Sequence, residues 1–403
     1  MSLRACSFPE DAVRARARSG AAAAFPDAER YGHELYGADP GARPADVLDA
    51  LRLVPPVFVP RRLEKLIDLA REPGYGDVAL DTRIGGFAST LPLYLSAFGT
   101  RPAGVDLSVA ASRQAGRLGI PMVIGEHTVP PDGDPRALLA RIGAYTAEVA
   151  DGRGGVVVQQ STEDSEGAVW RLVYGDPAVR PLLTSGRLAF ELTVGHGAKP
   201  GLGGMALRDG DAADPVLGSG KVLRSANPGT FTDEILRQRI RSMREDFPRA
   251  RVWVKLPPAR DVEAAALVAW DAGADAVTVD GAEGGTGWAP TSFLGHVGLP
   301  LGECLRRIGD HDACLLVSGR MWEGTRVAKS LALGATAAGL GRAALVAVDE
   351  NPDEGLANLV ECLAVELRML TSAMGKYDSG ELGREDVWAG AEMSTMDTLA
   401  SVW

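Results

Sequence analysis

From about residue 90 onward the chain carries eight short, continuous apolar runs, each followed by Gly-rich or polar residues and then by a stretch of helical periodicity. The runs are Leu93 to Ala97, Ile120 to Ile124, Val156 to Gln160, Leu188 to Val194, Val252 to Leu256, Ala276 to Asp280, Cys314 to Ser318 and Ala337 to Gly341. A strand that is apolar on both faces has to be covered on both, which points to a parallel sheet alternating with helices. Eight such units close most naturally into an α/β (β/α)8 TIM barrel, with a doubly wound open sheet as the alternative. The stretches Asp261 to Ala272 and Gly324 to Leu333 read as covering helices. The long interval 195–251 holds a Gly/Asp/Pro-rich loop around Gly201 to Gly220, as expected at an active-site face.

These runs divide the chain. Residues 1–90 read as an N-terminal extension, variable to about residue 42 and then helical (ADVLDALRLV, RRLEKLIDLA) between prolines, packed on the outside of the barrel. Residues 91–390 form the barrel and a closing helix from Glu354 to Met374, and residues 391–403 form a tail. With 403 residues, 46% of them hydrophobic, the chain can bury a large core. A net charge of -11 argues against a nucleic-acid partner, which needs a clustered basic surface. No apolar segment suits a signal peptide or a membrane span, and Cys6, Cys304, Cys314 and Cys362 lack metal-ligand spacing. A cytoplasmic protein without a membrane partner is the expectation.

Functional groups of such a barrel stand at the C-terminal ends of its strands. Those ends carry Ser96 and Phe98, Glu126 and His127, Gln160 and Ser161, His196 and Lys199, Lys255, Asp280 to Gly287, Ser318 to Arg320, and Gly339 to Arg342. Ser318-Gly319-Arg320 and Gly339-Leu340-Gly341-Arg342 close the last two strands, where barrels often hold a phosphate on backbone N–H groups. Lys255 inside VWVKL is costly to bury without an anionic partner. Gly284, Gly285 and Gly287 around Thr286 suggest a close backbone approach to a ligand.

Two segments, GHGAKPGLGG (195–204) and DGAEGGTGWAP (280–290), resemble GQGAKPGEGG and GHDGGTGASP of the FMN-binding synthase domain of glutamate synthases, above all its short archaeal-type form. LYLSAFG (93–99), GIPMVIGE (119–126), VWVKL (252–256), LALGATAAGLGRAAL (331–345) and ELRMLTSAMGKYDSGELGREDV (366–387) are similar in type and spacing, so the resemblance spans roughly residues 43 to 390. It implies FMN over the barrel mouth, with Ser96, Ala97 and Phe98 near the isoalloxazine, Lys255 at its pyrimidine edge and the last two strand-end loops on the phosphate. It further implies Gln160 and the Gly284–Gly287 loop as cofactor contacts, and Glu126, His196 and Lys199 as holders of a 2-oxo acid. Lys255, His196 and Glu126 would carry the chemistry.

The chain also departs from that pattern. His196 replaces the family's Gln, and Gly319-Arg320 replaces paired glycines. Where the family carries a Cys-rich loop for a three-iron cluster, this chain has Ala347 to Glu354, so FMN without an iron–sulfur cluster is expected. A chain without a glutaminase domain is the expectation, with Cys6 not serving as that domain's N-terminal nucleophile. The amine would then be free or delivered by a partner subunit, and an electron-transfer partner is equally compatible, as is a homo-oligomer. Hydride transfer at the C–N carbon of an amino or 2-oxo acid is the leading expectation. Its alternatives are an FMN oxidase or dehydrogenase of another small acid, with His196 as base, and a non-catalytic flavin-binding partner subunit.

Overall fold

The computed structural model describes residues 3–5, 8–24, 47–57, 73–98, 105–126, 128–129, 134–162, 167–195, 197, 207–209, 221–223, 231–285 and 291–389. All eight apolar runs are strands: β1 Leu93–Leu95, β2 Met122–Ile124, β3 Val156–Ser161, β4 Leu188–Thr193, β5 Arg251–Leu256, β6 Ala276–Asp280, β7 Leu315–Ser318 and β8 Ala337–Leu340. They pair in parallel in sequence order, and β8 returns to β1 with Leu340 opposite Leu95, so the sheet is a closed barrel rather than an open one.

The period-2 geometry of a strand sends alternate side chains to opposite faces. Val252, Val254 and Leu256 of β5, with Val156 and Val158 of β3, join the outer core shared with the helices. Trp253 and Val157, with Ala189, Ala276, Leu316 and Ala337, point into the bore. There they meet Ile84 and Phe87 of an antiparallel hairpin, Thr82–Ile84 against Phe87–Ser89, which plugs the N-terminal end of the barrel. The turn is Gly85-Gly86; a Cβ on Gly85 would lie 2.3 Å from the Trp253 ring, so only glycine lets the plug seat.

This floor differs from the helical reading of residues 43–90. Among the described residues of ADVLDALRLV one turn, Val47–Ala50, is helical, and Arg52–Leu53 then pairs antiparallel with Val387–Trp388. RRLEKLIDLA lies outside the described residues. Further helices bear on the site: α1 Glu10–Ser19, α2 Gly324–Ala332, α3 Arg342–Glu350 and the closing helix α4 Gly355–Ala373. α1 packs against α3 and α4. Among the described residues, no helix is long and apolar enough to cross a membrane.

Candidate active site

Above the apolar floor the bore turns polar, because the same alternation that points Trp253 and Val157 inward also points Lys255 and Gln159 inward two residues later. Lys255 is 5% exposed, and its Nζ lies 3.0 Å from Asp280 Oδ2 at the end of β6. Ser318 Oγ of β7 donates to the other oxygen of Asp280. One layer deeper, Glu191 of β4 is 1% exposed and accepts from Gln159 Nε2 at 2.6 Å and from Thr278 Oγ1 at 3.0 Å. Burial opposes the Lys255 ammonium, but Asp280, Glu191 and Glu126 together outweigh it and raise its affinity for a proton. Burial also pushes the Glu191 carboxyl up, against the pull of Lys255.

Lys255, Ser318 and Glu126, expected from the sequence, are thus brought together with Asp280, which the strand ends had included without a role, and with Glu191, which they had not. Their signal was present: a charged residue at an inward position of an apolar strand needs a partner across the bore. Gln159 belongs here by the same parity. Gln160 does not face the bore; with Thr162, Trp170, Arg239, Met243 and Phe247 it lines a cleft of about 270 Å³ outside β3 and β4.

After β1, the Ser96 N–H donates to Leu340 O at 3.0 Å, tying it to β8, and Ala97 packs on the inner cluster. Phe98 turns outward, with the Arg141 guanidinium 4.9 Å from its ring centre. Gly339 lies against Tyr94, whose ring Cζ would be 2.5 Å from an added Cβ. Gly339→Ala should therefore cost about 1–3 kcal/mol by overpacking. An unchanged denaturant midpoint would show that Tyr94 can move aside.

The loops after β6, β7 and β8 converge. A Cβ on Gly285 would touch the Arg342 side chain at 3.2 Å, and Arg342 donates to the Glu283 carbonyl at 2.6 Å. Arg320 holds a left-handed φ of 58°, a conformation glycine adopts without cost, which fits the paired glycines of the pattern it departs from. Its guanidinium pairs with Asp49 at 2.8 Å. The Glu283 carboxylate accepts from Leu301 N and from the buried Arg326, which also pairs with Asp49. Gly341 caps α3, and a Cβ there would meet nothing within 4 Å. Thr286, Gly287, His127, His196 and Lys199 lie outside the described residues.

Comparisons with known proteins bear on this arrangement. The chain is similar in structure to a soluble mutant of the membrane-associated (S)-mandelate dehydrogenase from Pseudomonas putida, with a TM-score of 0.56 and 18% identity over 95% of this chain and 100% of that one. A mandelate oxidase mutant carrying an FMN adduct gives a TM-score of 0.53 and 21% identity over 85% and 89% of the two chains. These likenesses concern the fold. In sequence, the chain is 37% identical over 213 residues to the glutamate synthase large subunit-like protein of Rhizobium meliloti, which covers 49% of this chain and 46% of the relative. It is 29% identical over 294 residues to the archaeal-type glutamate synthase (NADPH) of Thermotoga neapolitana, which covers 69% of this chain and 52% of the relative. It thus spans about half the length of these relatives. The family model described as the conserved region in glutamate synthase matches residues 137–351, from the helix before β3 to the end of α3, and the chain belongs to that family.

Proposed function

We propose that the chain is an FMN-dependent oxidoreductase that binds the cofactor non-covalently across the barrel mouth. The observation that carries this reading is the buried Lys255–Asp280 pair at the ends of β5 and β6, beside converging Gly-rich loops that present Arg320 and Arg342. The donor set fits the group. Burial and the charge of Arg320 both lower the proton affinity of Arg342, so an anion received between the two guanidiniums would relieve their repulsion. Gly341, the N-cap of α3, has open space where a Cβ would stand, which leaves room for a phosphate at the N-terminus of that helix. Ser96, Ala97, Gly284, Gly285, Ser318, Gly319 and Gly339, with the backbone alone of Phe98, would complete the cradle. FMN, when bound, supplies a two-electron carrier of hydride.

The residues of the chain then bind, orient and balance charge. Lys255 offers a fixed ammonium where negative charge collects, and Asp280 fixes the direction of that ammonium. Glu126, His196 and Lys199 would hold a small amino acid, or the imine that a 2-oxo acid forms with an amine by loss of water, with its C–N carbon placed to exchange a hydride with the flavin. Family membership and the FMN-bearing neighbours of the same fold support this reading.

The reading includes no iron–sulfur cluster. Cys304 and Cys362 stand on two different helices, and Cys314 lies just before β7, down at the barrel floor, accepting from Gly85 N. Burial pushes the Cys304 thiol up to about 12 and the Cys362 thiol up to about 11, as for unreactive thiols packed in a core. Scattered free thiols also suit a reducing cytoplasm. The test is direct: the purified protein should be yellow, release FMN on denaturation and contain no stoichiometric iron. A colourless protein that cannot be reconstituted with FMN overturns the flavin reading, and stoichiometric iron overturns the cluster-free one.

A further inference from the structure

The N-terminal extension reaches the phosphate end of this site from two directions. α1 is pinned across α3 and α4: Val13 and Ala17 are fully buried, and Arg14 pairs with Glu10, Asp349 and Glu350 at 3.0, 2.9 and 2.9 Å. Arg16 pairs with Glu366 of α4 at 2.7 Å. Just before α1, the ring of Phe8 lies under the Arg342 guanidinium, 4.8 Å from its central carbon. From the other direction, the turn Val47–Ala50 brings Asp49 to Arg320 at 2.8 Å, with Arg326 as its second partner. Both arginines of the two late-strand loops are therefore held by residues that lie far outside the barrel in sequence.

The two contacts have opposite electrostatic consequences. An aromatic ring attracts a guanidinium without neutralising it, so Phe8 and the bond to the Glu283 carbonyl fix Arg342 in place and leave its charge uncancelled by any anion of their own. A carboxylate does neutralise its partner, so Asp49 withholds the charge of Arg320. We propose that the N-terminal extension sets the cationic strength of the phosphate end of the site: Phe8 is a positioning residue that presents Arg342 to a phosphomonoester, and Asp49 is a resident counter-anion that holds Arg320 back. The proposal rests on the FMN reading above and concerns only the phosphate of that ligand.

Riboflavin shares the ring system and lacks the phosphate, so it separates this role from general support of the fold. The full chain, stripped of flavin, is titrated with FMN and with riboflavin by fluorescence quenching. Phe8→Leu should weaken FMN about fivefold and leave riboflavin unchanged, while Phe8→Tyr keeps the wild-type ratio. Asp49→Asn should strengthen FMN by a similar factor at low salt, again without moving riboflavin, and the gain should fade as salt screens it. Opposite signs for the two substitutions cannot come from loosening of the fold. If both change FMN and riboflavin alike, or shift FMN in the same direction, the proposal is overturned while the FMN reading stands. A wild-type chain that binds neither flavin overturns both. Should Phe8→Leu fail to fold, the near-isosteric Asp49→Asn decides alone: an unchanged or weakened FMN affinity rejects the proposal.

Discussion

Lys255→Met should make the bound flavin harder to reduce, lowering its midpoint potential by on the order of 60 mV while the barrel stays folded. The size follows from the loss of one preorganised cation in a water-poor site, about 3 kcal/mol, converted for a two-electron couple. Methionine matches the unbranched stem of lysine and fills the same channel between Trp253 and the mouth. Of the carboxylates left behind, Glu191 need not stay charged, because burial already pushes its carboxyl up and the opposing pull of Lys255 is gone. Reduction against a reference dye measures the potential without any knowledge of the physiological substrate. Rapid mixing with an electron donor should show reduction slowed about 10²- to 10³-fold. A potential equal to that of the wild type would mean that the ammonium does not face the reducible edge, and Lys255 would then be a structural partner of Asp280 alone.

The barrel was legible in the sequence because each strand is apolar on both faces, so eight runs stand out against Gly-rich and polar surroundings. Their ends were less legible: Leu93 to Ala97 shortens to Leu93–Leu95, and Ile120 to Ile124 to Met122–Ile124, since ladder register leaves no mark in a run of uniform hydropathy. The floor hairpin was hidden because Thr82 to Ser89 is eight residues broken by two glycines, which reads as a loop until Trp253 is seen packing on it. Lys255 was found by its cost of burial. Asp280 and Glu191 follow from the same argument only once β4, β5 and β6 are known to be neighbours, with the inward positions layered. Parity also separates Gln159 from Gln160, but only if the inward face of β3 is known. The pairing of Arg320 with Asp49, 271 residues away, has no local signature at all.

Asp280→Ala should destabilise the fold by about 3 kcal/mol or more, the usual consequence of stranding one member of a buried ion pair. Glu191 remains nearby and softens the loss without replacing the 3.0 Å contact. The pH dependence gives a second, independent readout. In the wild type, the Lys255 proton affinity is raised above its ordinary value of 10.5, so its stabilising contribution is complete below that value and is lost only as pH rises through the raised one. Without Asp280, burial becomes the dominant influence and depresses the proton affinity of Lys255, so the folded state binds fewer protons than the unfolded one in the alkaline range. Stability of the variant should then rise with pH on approach to 10.5, where that of the wild type is flat. Denaturant titrations at several alkaline pH values decide between these slopes. The double substitution Lys255→Met with Asp280→Ala should be less damaging than Asp280→Ala alone, because it removes the stranded charge together with its partner. Additive losses with parallel pH slopes would show that the two residues do not act as a pair, and the electrostatic core of the proposed site would have to be sought in Glu191.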